Sequence, residues 1–274
     1  MNEQELMLTA VLDCPRVDLY LERPPLSSAQ HSRYRKMQER RANGEPLQYI
    51  IGDCDFLGLK LSVDDRVLIP RPETEILADV AIGKAQGLFY EGTLLKILDI
   101  GTGSGNIAIA LAQQIPHCQV TALEISPQAL AVAQENAQKH GVTRRIDFIC
   151  QDMVGYLQQT PQREKFDIII SNPPYIPSSQ LADLPRDVQQ EPKIALDGGS
   201  DGLLFLRDII GQSQRFLKEG GYLFLEIGDG QAEGIEKIFS RYPDYQEIQF
   251  HKDHRGTKRI VIASLRSYYG KVNH

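Results

Sequence analysis

The chain has 274 residues, of which 42% are hydrophobic and 24% are charged, and its formal net charge is −6. This length is enough for one large domain with an appendage or for two domains, and the composition is that of a soluble globular protein. The acidic balance argues against a stable nucleic-acid partner, and no apolar run approaches the roughly 18 residues that a membrane-spanning helix needs.

The N-terminal part of the chain predicts two small units. A helical segment extends to Asn43, and the β-prone residues 47–63, which contain turn-forming glycines, predict a β-hairpin. Two prolines then stiffen the entry to a helix that begins near Glu73. The predicted units are a helical domain over residues 1–45, a hairpin linker over 46–70 and a larger domain over 71–274.

Residues 31–41 are strongly basic, in contrast to the chain as a whole. Charge runs usually form the solvated face of a helix, and Tyr34 and Met37 would then turn inward. The alternative is a docking patch for an acidic partner or for RNA, and the sequence alone leaves that alternative open.

From residue 94 onward, predicted strands and helices alternate. The strands are 94–100, 118–124, 145–150, 166–171 and 221–227, and the helices are 106–115, 126–141, 201–218 and 231–240. Two further strands, joined by a charged turn, follow the last helix. This alternation predicts an α/β fold with a mainly parallel sheet that is covered on both faces and has an antiparallel edge.

A glycine-rich loop, "DIGTGSGN", joins the first of these strands to the helix that follows it. Doubly wound sheets bind nucleotides at such a position, because glycine allows a sharp bend and a close approach of the ligand. The spacing of Gly101, Gly103 and Gly105 differs from the dinucleotide fingerprint, and no phosphate-binding lysine follows as in a P-loop. On this loop alone, a nicotinamide enzyme and a plain tight turn remain alternatives.

Acidic residues lie at the ends of three successive predicted strands. Asp99 is placed to meet an ammonium group, and Glu124 to accept hydrogen bonds from two ribose hydroxyls. Asp152 is placed to accept from the amino group of an adenine. A ligand with an adenosine and an amine fits all three, so we predict that the cofactor is S-adenosylmethionine.

The motif "SNPPYIP" follows the strand over 166–171. Prolines lack a backbone donor and bias the residues before them to extended conformations, so the segment is stiff and rich in acceptors. The Asn172 side-chain oxygen and the Pro173 carbonyl can each accept from a planar NH2 group, and Pro174 offers a further carbonyl. The Tyr175 ring can pack on the same flat group. The motif therefore predicts transfer of a methyl group to an amide or aromatic amine, and the alternative is a proline-rich turn.

Neither a metal site nor a disulfide is predicted. His251, Asp253 and His254 could ligate a metal, but a solvated turn is the favoured interpretation and the proposed chemistry needs no metal. The four cysteines are scattered without a CxxC pair, and the N-terminus lacks the basic start and apolar core of a secretory signal. We therefore expect a cytoplasmic protein with free thiols.

Seven segments taken together resemble the release factor glutamine methyltransferases. They occur in the family's order: "GEPLQYIIG", "LIPRPETE", "DIGTGSGNIAIALA", "EISPQAL", "SNPPYIP", "EPKIALDGGSDGL" and "LEIGDGQ". The resemblance implies a substrate-docking helical N-terminal domain, a linking hairpin and a seven-stranded Rossmann-like methyltransferase domain. It also implies methylation of the glutamine side-chain amide in the Gly-Gly-Gln tripeptide of peptide chain release factors.

The predicted site residues combine the resemblance with the strand-end analysis. The cofactor set is Asp99, Gly101, Thr102, Gly103, Ser104, Gly105, Glu124, Asp152, Met153 and Asn172. The catalytic set is Asn172, Pro173, Pro174 and Tyr175, and the set that shapes the approach is Arg71, Pro72, Glu73, Glu191 and Pro192. The chain departs from the family pattern in having Glu124 where aspartate is usual and Met153 where some members have tryptophan. Its N-terminal domain also looks shorter than usual by about one helical pair.

Two alternatives to this function come from other classes. One is a DNA adenine amino-methyltransferase, against which the acidic balance and the short accessory segment argue. The other is a non-catalytic protein that binds S-adenosylmethionine, which would not need the amine pocket. The expected protein is a monomer whose partner is the release factor.

Overall fold

The computed structural model describes residues 2–21, 25–88, 93–153, 155–156 and 165–267. The outer bounds predicted for the first and last domains, residues 1 and 274, lie outside these residues. Four helices form the N-terminal unit: α1 (Glu3–Leu12), α2 (Arg16–Leu21), α3 (Ser28–Ala42) and α4 (Leu47–Ile51). Ser27 and Gln30 form a capping box at the start of α3, which satisfies backbone donors that the helix cannot pair internally. Tyr34 and the buried Met37 pack inward as predicted, into a small core shared with α1 and α4.

The β-structure predicted from residue 47 onward is wrong over Leu47–Ile51, which is helix α4. Leu47 and Ile50 pack into the N-terminal core, whereas Tyr49 packs into a separate cluster. A strand would place residues 47 and 49 on one face, so this division of contacts requires a helix. The hairpin begins later, with β1 (Asp53–Phe56) paired to β2 (Leu59–Ser62), and the helical unit extends past the predicted bound at residue 45.

The remaining strands form one seven-stranded sheet in the order β5-β4-β3-β6-β7-β9-β8. The strands are β3 (Leu95–Ile100), β4 (Cys118–Glu124), β5 (Ile146–Cys150), β6 (Phe166–Ser171), β7 (Leu217–Glu226), β8 (Tyr245–Lys252) and β9 (Lys258–Leu265). Strands β3 to β7 pair in parallel, and β9 runs antiparallel to both β7 and β8. The predicted mainly parallel sheet with an antiparallel edge is confirmed.

Helices cover both faces of this sheet. They are α5 (Pro72–Leu88), α6 (Asn106–Gln114), α7 (Pro127–Lys139), α8 (Leu204–Ser213) and α9 (Ala232–Phe239). One core contains residues of α5 and α6 together with Phe56 and Leu61 of the hairpin, and a second core contains α8 and α9. The hairpin is thus packed against the seven-stranded sheet rather than standing apart from it.

The helix predicted over 201–218 is shorter than expected. Helix α8 ends at Ser213, and Leu217 already pairs with Phe166 in the sheet. Between this pair and the next, β7 bulges at two glycines, and Gly220 has a φ of 73°. Glycine tolerates that conformation. The two glycines interrupt the strand pattern, so sequence analysis placed the start of β7 too late. In the described part of the chain, no helix has the length and apolar character needed to cross a membrane.

Candidate active site

The glycine loop lies between β3 and α6, as predicted. Gly101, Gly103 and Gly105 have φ values of 73°, 55° and 82°, which residues with a Cβ rarely adopt. A Cβ on Gly105 would lie 3.1 Å from the Cβ of Ala133, so this glycine allows α6 to approach α7. Gly101 and Gly103 have open space instead, and both line a cavity of about 210 Å³. The loop therefore divides into two glycines that face the cavity and one that serves packing.

Glu124, at the end of β4, stabilises the loop from the cavity side. Its side chain is almost fully buried, with 9% of the residue surface exposed, and it lines the cavity. One carboxylate oxygen accepts from the backbone N–H of Gly103 at 3.0 Å, and the other accepts from that of Ser126 at 2.9 Å. Each oxygen has a second lone pair, so both remain able to accept from a ligand.

Asp99 occupies a different position from the one expected of an ammonium contact. Its carboxylate is fully buried, accepts from the Thr102 hydroxyl at 2.7 Å, and is not part of the cavity lining. Burial raises its pKa to about 7, and the hydrogen bond from Thr102 opposes that shift. In the described structure, Asp99 thus supports the loop from below, and its predicted contact with a cofactor amine stays a prediction.

The raised pKa of Asp99 gives a testable pH dependence of stability. The folded protein favours the protonated form, so the stabilisation linked to Asp99 is present below its ordinary pKa of 3.8 and is lost as the pH rises through about 7. We expect Asp99→Asn to show a smaller loss of unfolding free energy between pH 5 and pH 8 than the unmodified protein, by urea denaturation. Asp79→Asn, at an exposed position on α5, is the matched control. Equal losses for the Asp99 variant and the unmodified protein would contradict this account.

The "NPPY" segment borders the same cavity from the neighbouring strand. Ser171 ends β6 opposite Ile100 of β3, and its hydroxyl donates to the Ile100 carbonyl at 2.7 Å. This register places Asn172, Pro173 and Pro174 in the cavity lining with the glycine loop. The Asn172 side-chain nitrogen lies 2.9 Å from the Thr74 hydroxyl of α5.

Tyr175 is directed away from this lining. Its hydroxyl donates to Glu226 at 3.2 Å and accepts from Arg259 at 2.9 Å, and the Arg259 guanidinium lies 5.4 Å from the ring centre. Burial raises the pKa of Tyr175 above its ordinary value, so the hydroxyl remains a donor. The packing of the Tyr175 ring on a substrate amide stays a prediction, since the residue does not line the cavity.

Two of the residues predicted to shape the approach, Arg71 and Glu191, join two segments of the chain. Glu191 is buried, accepts from the Ile69 backbone N–H at 3.0 Å and forms an ion pair with Arg71. Desolvation raises the pKa of Glu191, and the Arg71 charge opposes that shift. Within this predicted set only Pro192 lines the cavity; Arg71, Pro72, Glu73 and Glu191 do not.

The cavity combines predicted residues with others that sequence analysis missed. The predicted lining residues are Gly101, Gly103, Glu124, Asp152, Met153, Asn172, Pro173, Pro174 and Pro192. Thr102, Ser104 and Gly105 belong to the loop without lining the cavity. The missed residues include Arg66, Val67, Leu68, Ile125, Gln151, Ile194, Ala195, Phe205 and Ile209. Ile125 and Gln151 had a usable signal, because each adjoins an acidic residue at a strand end, and Leu68, Ile194 and Ala195 lie within segments that carry the family resemblance. Arg66, Val67, Phe205 and Ile209 come from segments without a motif.

The charged turn between β8 and β9 is closed by its own aspartate. The Asp253 carboxylate accepts from the backbone N–H groups of Arg255 and Thr257 at 2.8 and 2.9 Å. Among the described residues there is no group of three His, Cys, Asp or Glu side chains that could hold a metal ion.

Comparison with known proteins agrees with this geometry. Residues 92–260 match the family model of a methyltransferase domain, and residues 2–52 match that of the PrmC N-terminal domain. The chain is 42% identical to the release factor glutamine methyltransferase of Geobacter sulfurreducens, over 94% of this chain and 87% of that relative. It is 40% identical to the protein of the same name from Chlorobaculum tepidum, over 92% and 87% of the two chains. The chain belongs to the release factor glutamine methyltransferase family.

Solved structures of other methyltransferases share the fold of this family member. The ribosomal protein L11 methylase of Lactobacillus delbrueckii subsp. bulgaricus aligns with a TM-score of 0.51 at 23% identity, over 75% of this chain and 84% of that one. The hMettl16 catalytic domain aligns with a TM-score of 0.60 at 17% identity, over 90% and 83%. The predicted family and the Rossmann-like methyltransferase fold are thereby confirmed.

Proposed function

We propose that this protein transfers a methyl group from S-adenosylmethionine to the glutamine side-chain nitrogen in the Gly-Gly-Gln motif of peptide chain release factors. The proposal rests on the observation that the predicted cofactor residues and the predicted substrate residues line the same cavity. The glycine loop and Glu124 line one part of it, and Asn172, Pro173 and Pro174 line another. A methyl donor and an amide acceptor could therefore meet inside a single cavity.

The cavity has donor and acceptor groups that fit S-adenosylmethionine. Gly101 and Gly103 leave the backbone open to a ligand, and Glu124 has a free lone pair on each oxygen for the two ribose hydroxyls. Ile125 and Met153 supply apolar surface for a planar base, and Asp152 supplies an acceptor. When bound, the cofactor supplies an electrophilic methyl group on a sulfonium.

Two hydrogen-bond acceptors would hold the substrate amide in place. The Asn172 oxygen and the Pro173 carbonyl would each accept one N–H of the glutamine side chain, which aims the nitrogen lone pair at the methyl carbon. The same acceptors stabilise the positive charge that grows on nitrogen as the N–C bond forms and the S–C bond breaks. The methylated amide then loses its extra proton to water, because an N-protonated amide is strongly acidic. No dedicated base is needed.

Glu124 gives the most direct test of the cofactor site. We expect Glu124→Ala to raise the dissociation constant of S-adenosylmethionine at least about tenfold, because hydrogen bonds to a charged acceptor contribute about 1.5–3 kcal/mol. Isothermal titration calorimetry would measure the affinity, and thermal unfolding would confirm that the variant is folded. Glu236→Ala, at an exposed position of α9, is the matched control. Unchanged affinity in a folded Glu124 variant would remove Glu124 from the cofactor site.

The helical N-terminal unit would dock the release factor. In support, contacts join it to segments around the cavity: a guanidinium nitrogen of Arg41 lies 3.5 Å from a carboxylate oxygen of Asp187, and the Tyr49 hydroxyl donates to the Val67 carbonyl at 2.5 Å. Val67 lines the cavity, and Asp187 precedes the segment that contains Pro192. We propose that the protein acts in the cytoplasm as a monomer and forms no stable complex with nucleic acid.

A further inference from the structure

Behind the proposed amide pocket lies a buried carboxylate that the methyl transfer itself does not use. Glu226 ends β7 and has no exposed surface. Its Oε2 lies 2.6 Å from the Thr74 hydroxyl, and its Oε1 lies 3.2 Å from the Tyr175 hydroxyl and 3.7 Å from an Arg259 guanidinium nitrogen. Burying a carboxylate is costly, so its partners deserve a functional explanation.

The hydrogen-bond network around Glu226 reaches the cavity through Thr74. The Thr74 oxygen that contacts Glu226 also lies 2.9 Å from the side-chain nitrogen of Asn172. Asn172 lines the cavity, whereas Thr74 is buried and does not. Thr74 is therefore the bridge between the buried carboxylate and the proposed substrate contact.

The direction of these hydrogen bonds fixes the orientation of the Asn172 amide. An ionised Glu226 can only accept, and a threonine hydroxyl has a single hydrogen to donate. Once Thr74 donates that hydrogen to Glu226, it can offer only a lone pair to Asn172. The NH2 group of Asn172 must then face Thr74, and its oxygen remains available to another donor.

We propose that Thr74 and Glu226 are positioning residues that lock the Asn172 amide with its oxygen available to the methyl acceptor. The inference rests on the proposed function, because it matters only if Asn172 accepts from the substrate amide. A freely turning amide would present NH2 in some molecules, and that donor would repel the N–H groups of a glutamine. The lock therefore raises the fraction of molecules that are ready to react.

Protonation of Glu226 would reverse the orientation of the Asn172 amide. Burial raises its pKa to about 7, while the Thr74 hydroxyl, the Arg259 charge and the Tyr175 hydroxyl oppose that shift. Glu73 also acts on it and raises it further. A protonated Glu226 can donate to Thr74, which then donates to Asn172 and attracts the amide oxygen. The rate of methyl transfer should therefore fall as the pH decreases through about 7.

The test compares Thr74→Val with Thr74→Ser, using radiolabelled S-adenosylmethionine and a peptide chain release factor as substrate. Thr74→Val has nearly the same shape and lacks the hydroxyl, so kcat should fall about tenfold or more while the cofactor dissociation constant changes less than about twofold. Thr74→Ser keeps the hydroxyl and should restore most of the rate. Thr121→Val, at a buried threonine of β4 outside this network, is the matched control.

The pH profile of kcat is the second measurement. The unmodified protein should lose activity below about pH 7, and Glu226→Gln should give a low kcat that no longer depends on pH in this range. Asp99 also has a pKa raised to about 7, so its titration must be distinguished from that of Glu226. The kcat of Asp99→Asn should still fall below about pH 7, whereas the kcat of Glu226→Gln should not depend on pH in this range.

The outcomes separate this inference from the proposed function. If Asn172→Ala is inactive while Thr74→Val is as active as the unmodified protein, the lock does not exist and the inference is wrong. Failure of Thr74→Ser to restore the rate, or a pH profile that survives Glu226→Gln, would also overturn it. If Asn172→Ala itself is fully active, it is the proposed role of Asn172 that fails.

Discussion

Replacing Asn172 with alanine is expected to lower kcat by about a hundredfold or more and to leave the cofactor dissociation constant nearly unchanged. Asn172 lines the cavity beside the glycine loop, and its side chain would contact the substrate amide as charge develops on nitrogen. Removing one such acceptor from an active site costs about 3–4 kcal/mol of transition-state stabilisation. Single-turnover methyl transfer to a release factor would measure the rate, and calorimetry the cofactor affinity.

Asn43→Ala is a suitable control for this variant, because Asn43 is exposed at the end of α3. Loss of cofactor binding in Asn172→Ala, with the fold intact, would show that Asn172 acts mainly on the cofactor and not on the substrate amide. An unchanged kcat would show that the Pro173 carbonyl and the remaining cavity are sufficient to orient the amide.

An intact release factor is expected to react at least about a hundredfold faster, by kcat/KM, than a short peptide that contains Gly-Gly-Gln. Free glutamine should not react measurably. All three present the same planar amide, but only the protein can make remote contacts, and truncated substrates lose rate as well as affinity. Methyl transfer from radiolabelled S-adenosylmethionine to each substrate at matched concentrations would measure the difference.

The N-terminal unit can be tested without deleting it. Met37 of α3 packs with Leu47 and Ile50 of α4, so removal of the first helices would uncover α4. Charge reversal at the exposed basic positions of α3 avoids this; the substitutions are Arg33→Glu, Arg35→Glu and Lys36→Glu. The triple variant should react more slowly with the whole release factor and at an unchanged rate with the peptide, and Lys237→Glu on α9 is the control. An unchanged rate of the triple variant with the whole release factor would show that these residues of the N-terminal unit do not select the substrate.

The parts of the site that sequence analysis identified are those with local signals. The glycine loop, Glu124 and Asn172 all lie where a strand ends, and parallel strands bring their carboxyl ends to one edge of a sheet. The register of β3 with β4 and β6 confirms this placement. The family followed from motifs in order along the chain, which needed no knowledge of packing.

The parts that were missed depend on distant contacts. The helix at Leu47–Ile51 exists because its residues are buried on two opposite sides, which local β-propensity does not report. Asp99 could have turned toward the cavity or under the loop, and only the packing decides between them. Thr74 and Glu226 are 152 positions apart, so no local pattern links them.

The most direct measurement of the central claim is a parallel methyl-transfer assay with radiolabelled S-adenosylmethionine. Three substrates are offered: a release factor, the same factor with the glutamine of Gly-Gly-Gln replaced by alanine, and adenine-containing duplex DNA. We expect label on the first substrate only, and mass spectrometry should locate one added methyl group on the glutamine side chain. Faster labelling of DNA would identify a nucleic-acid methyltransferase, and equal labelling of the two release factors would place the methyl group on another residue. Cofactor binding without transfer to any substrate would indicate a non-catalytic protein, and each of these three results would contradict the account.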